Sequence, residues 1–376
     1  MTDTLTISML GAGFIGSFHS FALRMQSLIK KPPRRAIKLK TLADLNEETR
    51  KSVQARFGWE NTTGDWQELV NDPAVDIFVN AGPNNLHAEP SVTALRNGKH
   101  VFCEKPLAED SDKAFEMWKA ASASKLVHQA AFVYRFVPAV RHMREIVGSG
   151  AIGEVTHYRS NYLMNNYLQK DLPFSWRLDK KVAGSGTFGD LGAHHIDAAR
   201  FIVGEIAEVG TLARIAVPEI DGHKVEVDDG FVSIISFERG AIGTIEASRV
   251  AAGYQHTSRC QVDGTRGSLR FDVARLNELE IADSLTSGFR TIQVIQENQP
   301  FADFWWEAGV QGSHPIGWVE CFVHQMNHFL TAVSDEHAVA PLAANFEDGY
   351  RTAEIGETMI RSWKSGKREK ISFRKP

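Results

Sequence analysis

A glycine-rich turn near the N-terminus constrains the fold of this chain more than any other feature. The sequence Gly-Ala-Gly-Phe-Ile-Gly at residues 11–16 follows an apolar run at 5–10 that is typical of a buried strand, and apolar side chains then repeat at helical spacing. A strand, a glycine turn and a helix in this order predict a dinucleotide site, because the backbone approaches the pyrophosphate closely and the helix N-terminus faces it. The predicted cofactor contacts in the turn are Gly11, Gly13, Phe14, Ile15 and Gly16.

Strand and helix patterns alternate through the first 130 residues. Residues 75–81 form an apolar run broken only by Asp76, as expected for a strand covered on both faces. Repeated strand–helix units predict a parallel, doubly wound sheet. Residues 1–130 are therefore predicted to form an α/β Rossmann domain that binds NAD.

Long strand patterns dominate the second part of the chain. Residues 225–237 and 241–248 flank Glu-Arg-Gly, which is a tight hairpin signal. Helical patterns interrupt the strands at three places, near residues 187–203, 318–333 and 346–364. We therefore predict that residues 131–376 form an α+β domain with a large open, mostly antiparallel sheet, which binds substrate and mediates oligomerisation.

Composition and charge exclude several classes of protein. The formal net charge of −4 gives no electrostatic reason to expect nucleic acid or an anionic membrane as a partner. The chain has no run of about 18 apolar residues and no leader-like N-terminus, and its cysteines are scattered, so we expect a reduced, cytoplasmic protein. His324 and His328 lie four apart, but Gln325 stands where a His-Glu-x-x-His zinc motif needs glutamate, so no metal is predicted.

Asp44 ends the second predicted strand, where an acid can bind both ribose hydroxyls. The dinucleotide fingerprint places this acid about 20 residues after the turn. Here the separation from Gly11 is 44 − 11 = 33, and a basic segment at residues 30–35 accounts for the excess as an insertion. Asp44 would repel a 2′-phosphate, so NAD is predicted in preference to NADP. The basic segment would overturn this prediction if Arg34 or Arg35 folded over the adenosine ribose.

Three later motifs resemble one enzyme family. Gly-Pro-Asn-Asn-Leu-His at 82–87 and Glu-Lys-Pro at 104–106 each follow a strand, and Trp-Arg at 176–177 precedes a glycine-rich lead into Asp-x-x-x-His at 190–194. In this order they resemble the Gfo/Idh/MocA oxidoreductases, named for glucose–fructose oxidoreductase and inositol dehydrogenase, over nearly the whole chain. The resemblance implies a cis Lys105–Pro106 bond and a homodimer or homotetramer that often pairs sheet to sheet. Further cofactor contacts are assigned to Pro83, Asn84, His87 and Glu104.

Oxidation of a secondary alcohol needs a group that takes the hydroxyl proton and another that favours the developing alkoxide. The resemblance implies that Lys105, Asp190 and His194 are the catalytic residues. His194 is the natural proton acceptor, whereas Lys105 can stabilise the alkoxide or act as the base itself, and the sequence leaves that choice open. Asp190 can orient a substrate hydroxyl or pair with Lys105.

Other polar residues are weaker candidates for the substrate site. Asp197 shares a helical face with Asp190 and His194, and a supporting hydrogen bond is a better interpretation for it than direct catalysis. Arg177 lies where the family often contacts substrate hydroxyls, and a surface salt bridge is the alternative. Besides the catalytic residues, the predicted substrate contacts are Tyr134, Tyr162, Asn165, Arg177 and His314.

The predicted function is NAD-dependent oxidation of one ring hydroxyl of a sugar, anhydrosugar or inositol-like polyol to a ketone. One alternative is an NADPH-dependent keto-sugar reductase. The other is a non-catalytic, NAD-sensing protein on the same fold, against which the presence of all three reactive residues argues.

Overall fold

The first part of the chain folds into a six-stranded parallel sheet with helices between the strands. The structure is a computed structural model that describes residues 4–284, 288–295, 299–305 and 314–376. The strands are β1 (Thr4–Leu10), β2 (Ala36–Ala43), β3 (Asn61–Thr63), β4 (Ile77–Asn80), β5 (His100–Cys103) and β6 (His128–Ala130). The helices are α1 (Phe14–Met25), α2 (Glu47–Phe57), α3 (Trp66–Asn71), α4 (Ala88–Arg96) and α5 (Ser111–Ser122).

The spatial order of these strands is β3-β2-β1-β4-β5-β6, which confirms the predicted Rossmann fold. Leu5, Ile7 and Met9 of β1 are completely buried, as are all three apolar residues of β4, because helices cover both faces of the sheet. The strand order reverses between β1 and β4. Ligands of such sheets bind outside the carboxyl ends of the strands at this reversal, which is where the glycine turn lies.

The second part contains a nine-stranded sheet in the order β16-β15-β14-β13-β7-β12-β11-β8-β17. Only the β7–β12 pair is parallel among its described neighbours, so the predicted large, mostly antiparallel sheet is confirmed. The strands are β7 (Val155–Leu163), β8 (Ile206–Arg214), β11 (Gly230–Phe237), β12 (Ile242–Ser248), β13 (Thr257–Gly264), β14 (Gly267–Asp272), β15 (Glu278–Asp283), β16 (Arg290–Gln293) and β17 (Glu369–Lys370), and a separate hairpin joins β9 (Glu219–Ile220) to β10 (His223–Lys224).

Helices cover one face of this sheet. The helices of this part are α6 (Pro138–Gly148), α7 (Lys180–Ala183), α8 (Ala193–Ile202), α9 (Ala302–Trp305), α10 (Trp318–Asp335) and α11 (Phe346–Ser365). Of these, α6, α8 and α11 contact the sheet, whereas α10 packs on α1. None of the helices among the described residues is both long and apolar enough to cross a membrane. The chain after the sheet returns to the first part, since Ala344 pairs with Ala130 and α11 packs on α5. The domain division at residue 130 stays a prediction.

One predicted strand is shorter than the sequence pattern suggested. The strand predicted at 225–237 begins only at Gly230. The carboxylates of Asp228 and Asp229 instead accept backbone hydrogen bonds from other segments, Asp228 from Gly186 at 2.8 Å and Asp229 from Val217 at 2.7 Å. These bonds connect residues 228–229 to two other loops, so the strand begins only after them.

The nine-stranded sheet exposes apolar side chains on the face that carries no helices. Alternate residues of β11 point to opposite sides, so Phe231 and Ile235 are buried while Val232 and Ile234 are exposed. Val232 lies opposite Leu212 of β8, which is 78% exposed, and Ile242 of β12 adds to the same face. An exposed apolar patch of this kind is typical of an interaction surface.

A buried ion pair connects α8 to the turn ahead of α6. The guanidinium of Arg135 donates to both carboxylate oxygens of Asp197, at 2.6 and 2.8 Å, and the two side chains are 4% and 2% exposed. Arg135 also contacts Asp348 at the start of α11. Asp197 therefore holds the scaffold and does not face Lys105, in agreement with the supporting role favoured for it.

Removal of the Asp197 carboxylate should destabilise the fold strongly. We expect Asp197→Ala to lower the free energy of unfolding by about 3–5 kcal/mol, because a buried guanidinium would lose its bidentate partner. Chemical denaturation followed by tryptophan fluorescence measures this loss. Asp263→Ala is the matched control, since its partner Arg159 is half exposed and such surface pairs contribute about 0–1 kcal/mol. Equal losses in both variants would contradict the role assigned to Asp197.

Candidate active site

Lys105 lies where β5 ends, and its peptide bond to Pro106 is cis, as the resemblance implied. Its ammonium nitrogen donates to Asp190 Oδ1 at 2.7 Å and to the carbonyl oxygen of Asp190 at 3.0 Å. Asp190 sits in a π-helical turn, Phe188–Gly192, that leads into α8. Such turns are frequent at functional sites. The structure thus brings together two of the three residues predicted to be catalytic, one from each part of the chain.

Asp190 is held by a second cation that the sequence analysis did not identify. Arg249 directly follows β12, is buried, and donates to Asp190 Oδ2 and to the hydroxyl of Tyr167, over whose ring its guanidinium stacks at 4.8 Å. Burial alone would raise the pKa of Asp190, but the positive charges of Lys105 and Arg249 hold it well below its ordinary value. Asp190 is therefore a carboxylate throughout the neutral pH range.

His194 lies one turn after Asp190, half buried in an aromatic setting. Its ring packs edge-on against Tyr134 at 5.0 Å and lies 6.2 Å from Tyr162. Burial, and next the positive charge of Lys105, hold the pKa of His194 well below its ordinary value. Its Nδ1 has no hydrogen-bond partner among the described residues. The ring is therefore neutral at pH 7.

The predicted substrate residues are not all alike in position. Tyr134 and Tyr162 join the cluster around His194, and burial raises the pKa of both phenols, so their hydroxyls stay protonated. Arg177 is exposed and stacks on Trp176 at 4.5 Å, and its charge contributes to lowering the pKa of Asp190. Two others lie in loops, Asn165 after β7 and the exposed His314 before α10. Their substrate contacts stay predictions.

His195, next to His194, points into the core instead. Its Nε2 lies 3.3 Å from the hydroxyl of Ser258, and burial lowers its pKa to about 3. His324 is similarly buried, with its Nδ1 3.2 Å from the carbonyl oxygen of Phe136. Both are neutral structural histidines held by the protein itself.

The glycine turn has the shape that a pyrophosphate requires. Gly11 has φ +96°, and a β-carbon there would lie 2.2 Å from the carbonyl oxygen of Ala81. A β-carbon on Gly16 would lie 2.0 Å from the carbonyl oxygen of Gly11, whereas the space beside Gly13 is open. Helix α1 begins without a side-chain cap, so its first N–H groups are free to bind an anion. This part of the chain fits a dinucleotide.

Asp44 lies beside this turn, at the carboxyl end of β2. Its Oδ2 accepts from the N–H of Ala12 at 2.8 Å, which fixes the carboxylate next to the place of the adenosine ribose. The basic segment lies at the other end of the sheet, where Arg35 donates to the carbonyl oxygen of Thr4 and Arg34 to that of Ser334. The eight residues of β2 separate the two ends by roughly 25 Å. The basic segment therefore does not reach the ribose, and Asp44 decides for NAD.

Two residues predicted to contact the cofactor direct their side chains to the protein itself. Asn84 donates to the carbonyl oxygen of Ala183 at 3.0 Å, and so joins the two parts of the chain. The ring nitrogens of His87 lie 2.8 and 2.9 Å from the carbonyl oxygens of Pro106 and Gly82. Any cofactor contact from His87 would thus come from its backbone, because both ring nitrogens face carbonyl oxygens of the protein.

Glu104 positions the backbone of Lys105. Its Oε2 accepts from the N–H of Lys105 at 3.0 Å, and its Oε1 lies 2.7 Å from Nε2 of the buried His19. His19 was not among the predicted site residues. Its place one turn after the glycine pattern could have indicated that it faces β5. Asp228 was missed as well, and it fixes the turn before Asp190 by accepting from the N–H groups of Gly186 and Phe188.

Known proteins share both parts of this architecture. The family described as "Oxidoreductase family, NAD-binding Rossmann fold" matches residues 5–132, and "GFO/IDH/MocA C-terminal domain" matches residues 140–270. Levoglucosan dehydrogenase of Pseudarthrobacter phenanthrenivorans is 33% identical over 96% of each chain. This chain belongs to the Gfo/Idh/MocA oxidoreductases.

Two further comparisons agree with this assignment. The solved structure "Levoglucosan dehydrogenase, complex with NADH and levoglucosan" has a TM-score of 0.93 and 33% identity, over 98% of this chain and 100% of that one. Myo-inositol 2-dehydrogenase of Thermotoga maritima is 30% identical over 74% of this chain and 78% of its own. The chain is thus an oxidoreductase with NAD as its cofactor, and the resemblance stated from its motifs is confirmed.

Arg249 should matter for turnover although it lies behind Asp190. We expect Arg249→Met to lower kcat/KM by about 10²-fold, because Asp190 would lose one of its two cations and shift relative to Lys105. Arg249→Lys should recover part of this loss, since it restores the charge without the planar fork. Steady-state kinetics measure the effect, and Arg96→Met, an exposed site on α4, serves as the control. If Arg249→Met turns over at the normal rate, Asp190 does not depend on it.

Proposed function

We propose that this enzyme oxidises one secondary hydroxyl of a sugar, anhydrosugar or cyclic polyol to a ketone. The observation that carries the proposal is the meeting of Lys105, Asp190 and His194 beyond the carboxyl edge of the Rossmann sheet, the edge that also carries the glycine turn. The named activities of the relatives support the substrate class, since levoglucosan is an anhydrosugar and inositol a cyclic polyol.

NAD, when bound, accepts the hydride that leaves the substrate carbon. We assign the proton of the same hydroxyl to His194, because its ring is neutral and lies one turn from Asp190, which binds Lys105. Lys105 donates to the carboxylate of Asp190 at 2.7 Å, so we assign it the role of a donor and not that of the base. The ammonium instead stabilises the negative charge that develops on the substrate oxygen.

The two alternative functions have less support. A reductase that prefers NADPH needs a cationic site for the 2′-phosphate. Here the acidic Asp44 lies beside the place of the ribose, and Arg34 and Arg35 contact backbone carbonyl oxygens at the other end of β2. A non-catalytic sensor has no need of a neutral histidine and an ammonium in the same pocket. Both observations favour an NAD-dependent dehydrogenase.

The anhydrosugar levoglucosan is the first substrate to test. With NAD and a panel of levoglucosan, myo-inositol, scyllo-inositol and glucose, we expect NADH absorbance at 340 nm to rise with at least one member. His194→Ala and Lys105→Met should each lower kcat by about 10²–10⁴-fold while NADH binding, measured by fluorescence, is retained. Asp112→Asn, on the surface of α5, is the control. Cofactor that stays oxidised with every sugar and polyol would refute the proposal.

The expected cytoplasmic location agrees with the state of the cysteines. Cys103, Cys260 and Cys321 are all buried free thiols, and burial raises the pKa of Cys260 to about 12. We propose that the enzyme works in a reducing compartment, where such thiols persist.

We also propose that the enzyme is a homo-oligomer joined through the open face of its nine-stranded sheet. Leu212, Val232, Ile234 and Ile242 are exposed together on adjacent strands. A contact between two such faces would remove this patch from water in both copies. It would leave the active site on the helical side of the sheet uncovered.

Charges placed in this face should separate the subunits. We expect the double substitution Leu212→Glu with Ile234→Glu to halve or quarter the molar mass measured by light scattering, because like charges would face each other in a desolvated contact. Thr265→Glu, near the end of β13 outside the patch, is the control and should leave the mass unchanged. A wild-type protein that is already monomeric would overturn the proposed assembly.

A further inference from the structure

A cavity lies behind the residues that carry the reactive side chains, and we call it the rear cavity. It has a volume of about 410 Å³ and lies between the start of α5, the α7–α8 segment and α11. Its wall includes Pro106, Gly189 and Ala193, each of which is a chain neighbour of one of the three reactive residues. The reactive side chains do not belong to its described lining. A ligand here would therefore touch the segments that hold them without filling the substrate position.

Almost all carboxylate oxygens of the rear cavity already accept hydrogen bonds from the protein. Glu109 Oε1 accepts from Lys113, and Glu357 accepts from both the N–H and the hydroxyl of Ser111, at 2.9 and 3.1 Å. Asp110 caps α5. The exception is Glu109 Oε2, which has no hydrogen-bond partner among the described residues although the side chain is only 7% exposed. This oxygen can accept one hydroxyl donor.

The positive charges of the cavity are less well paired. Lys180 and Lys181 are exposed at its rim on α7, and neither makes an ion pair within the described part of the chain. Leu107, Phe132 and Ile360 add apolar surface to the lining. A cationic rim, an apolar wall and one buried carboxylate oxygen together specify a molecule with an anionic group, a C–H face and hydroxyl donors.

We propose that the rear cavity binds a small anionic polyol, such as a sugar acid or a sugar phosphate, as a modulator of the enzyme. The anionic group lies between Lys180 and Lys181, and a hydroxyl donates to Glu109. Because the wall combines residues from both parts of the chain, binding fixes the segments of Lys105 and Asp190 relative to each other. The ligand therefore changes turnover without competing with the oxidised sugar, whichever sugar that is.

Calorimetric titration of the NADH-loaded protein tests this proposal. Gluconate carries a carboxylate and glucose 6-phosphate a phosphate, so the two anionic polyols distinguish these sources of the charge. Sorbitol supplies the hydroxyls without the charge, and inorganic phosphate the charge without the polyol. We expect saturable binding by at least one anionic polyol, at least tenfold tighter than by sorbitol or phosphate. Equal binding of inorganic phosphate, or no binding of either anionic polyol, overturns the proposal.

Variants then locate the bound molecule. The double substitution Lys180→Gln with Lys181→Gln should weaken binding at least tenfold, whereas Lys119→Gln with Lys125→Gln, which makes the same charge change elsewhere on the surface, should not. Lys105→Met should bind as the wild type does, even where it has lost turnover. Binding that depends on Lys105 and not on the rim lysines would place the anion in the active site and refute the rear site.

Discussion

The carboxylate of Asp190, held between two cations, is the interaction on which the active site depends. Lys105 comes from the end of β5 in the first part of the chain, and Arg249 from the end of β12 in the second. Neither side chain could be placed in a half-buried cleft without a counter-charge, because an unpaired ion there is costly. Asp190 supplies that charge to both. The same carboxylate therefore fixes the position of the Lys105 ammonium and joins the first part of the chain to the second.

Much of this architecture could be predicted from the sequence, because its signals are local. The glycine turn lies between a strand and a helix, and Gly11 and Gly16 stand where a β-carbon would collide with the backbone. Lys105 directly follows a buried strand, so its position at the carboxyl edge of the sheet follows from the topology. The strand patterns on either side of Glu-Arg-Gly at 238–240 likewise predict an antiparallel pair.

The rest depends on contacts between residues that are far apart in the chain. Nothing in the sequence around Arg249 indicates that it reaches a carboxylate 59 positions earlier. Asp228 lies in a segment that was predicted to be a strand, but its carboxylate accepts from the turn at 186–188 and satisfies buried N–H groups there. His87 and Glu104 occupy motif positions near the cofactor, yet their side chains serve the backbone around Lys105 and Pro106. A motif locates a residue without showing which way its side chain points.

The same arrangement explains how the carboxylate of Asp190, the neutral imidazole of His194 and the ammonium of Lys105 can lie in one small site. Burial removes the proton from His194, and Lys105 adds to this effect because two positive charges close together are unfavourable. Asp190 would oppose it, but its charge is already shared by Lys105 and Arg249. Arg249 thus has an effect beyond its contact, since without it the Asp190 carboxylate would act more strongly on both Lys105 and His194. A guanidinium that is buried behind Asp190 therefore helps to keep the imidazole of His194 neutral.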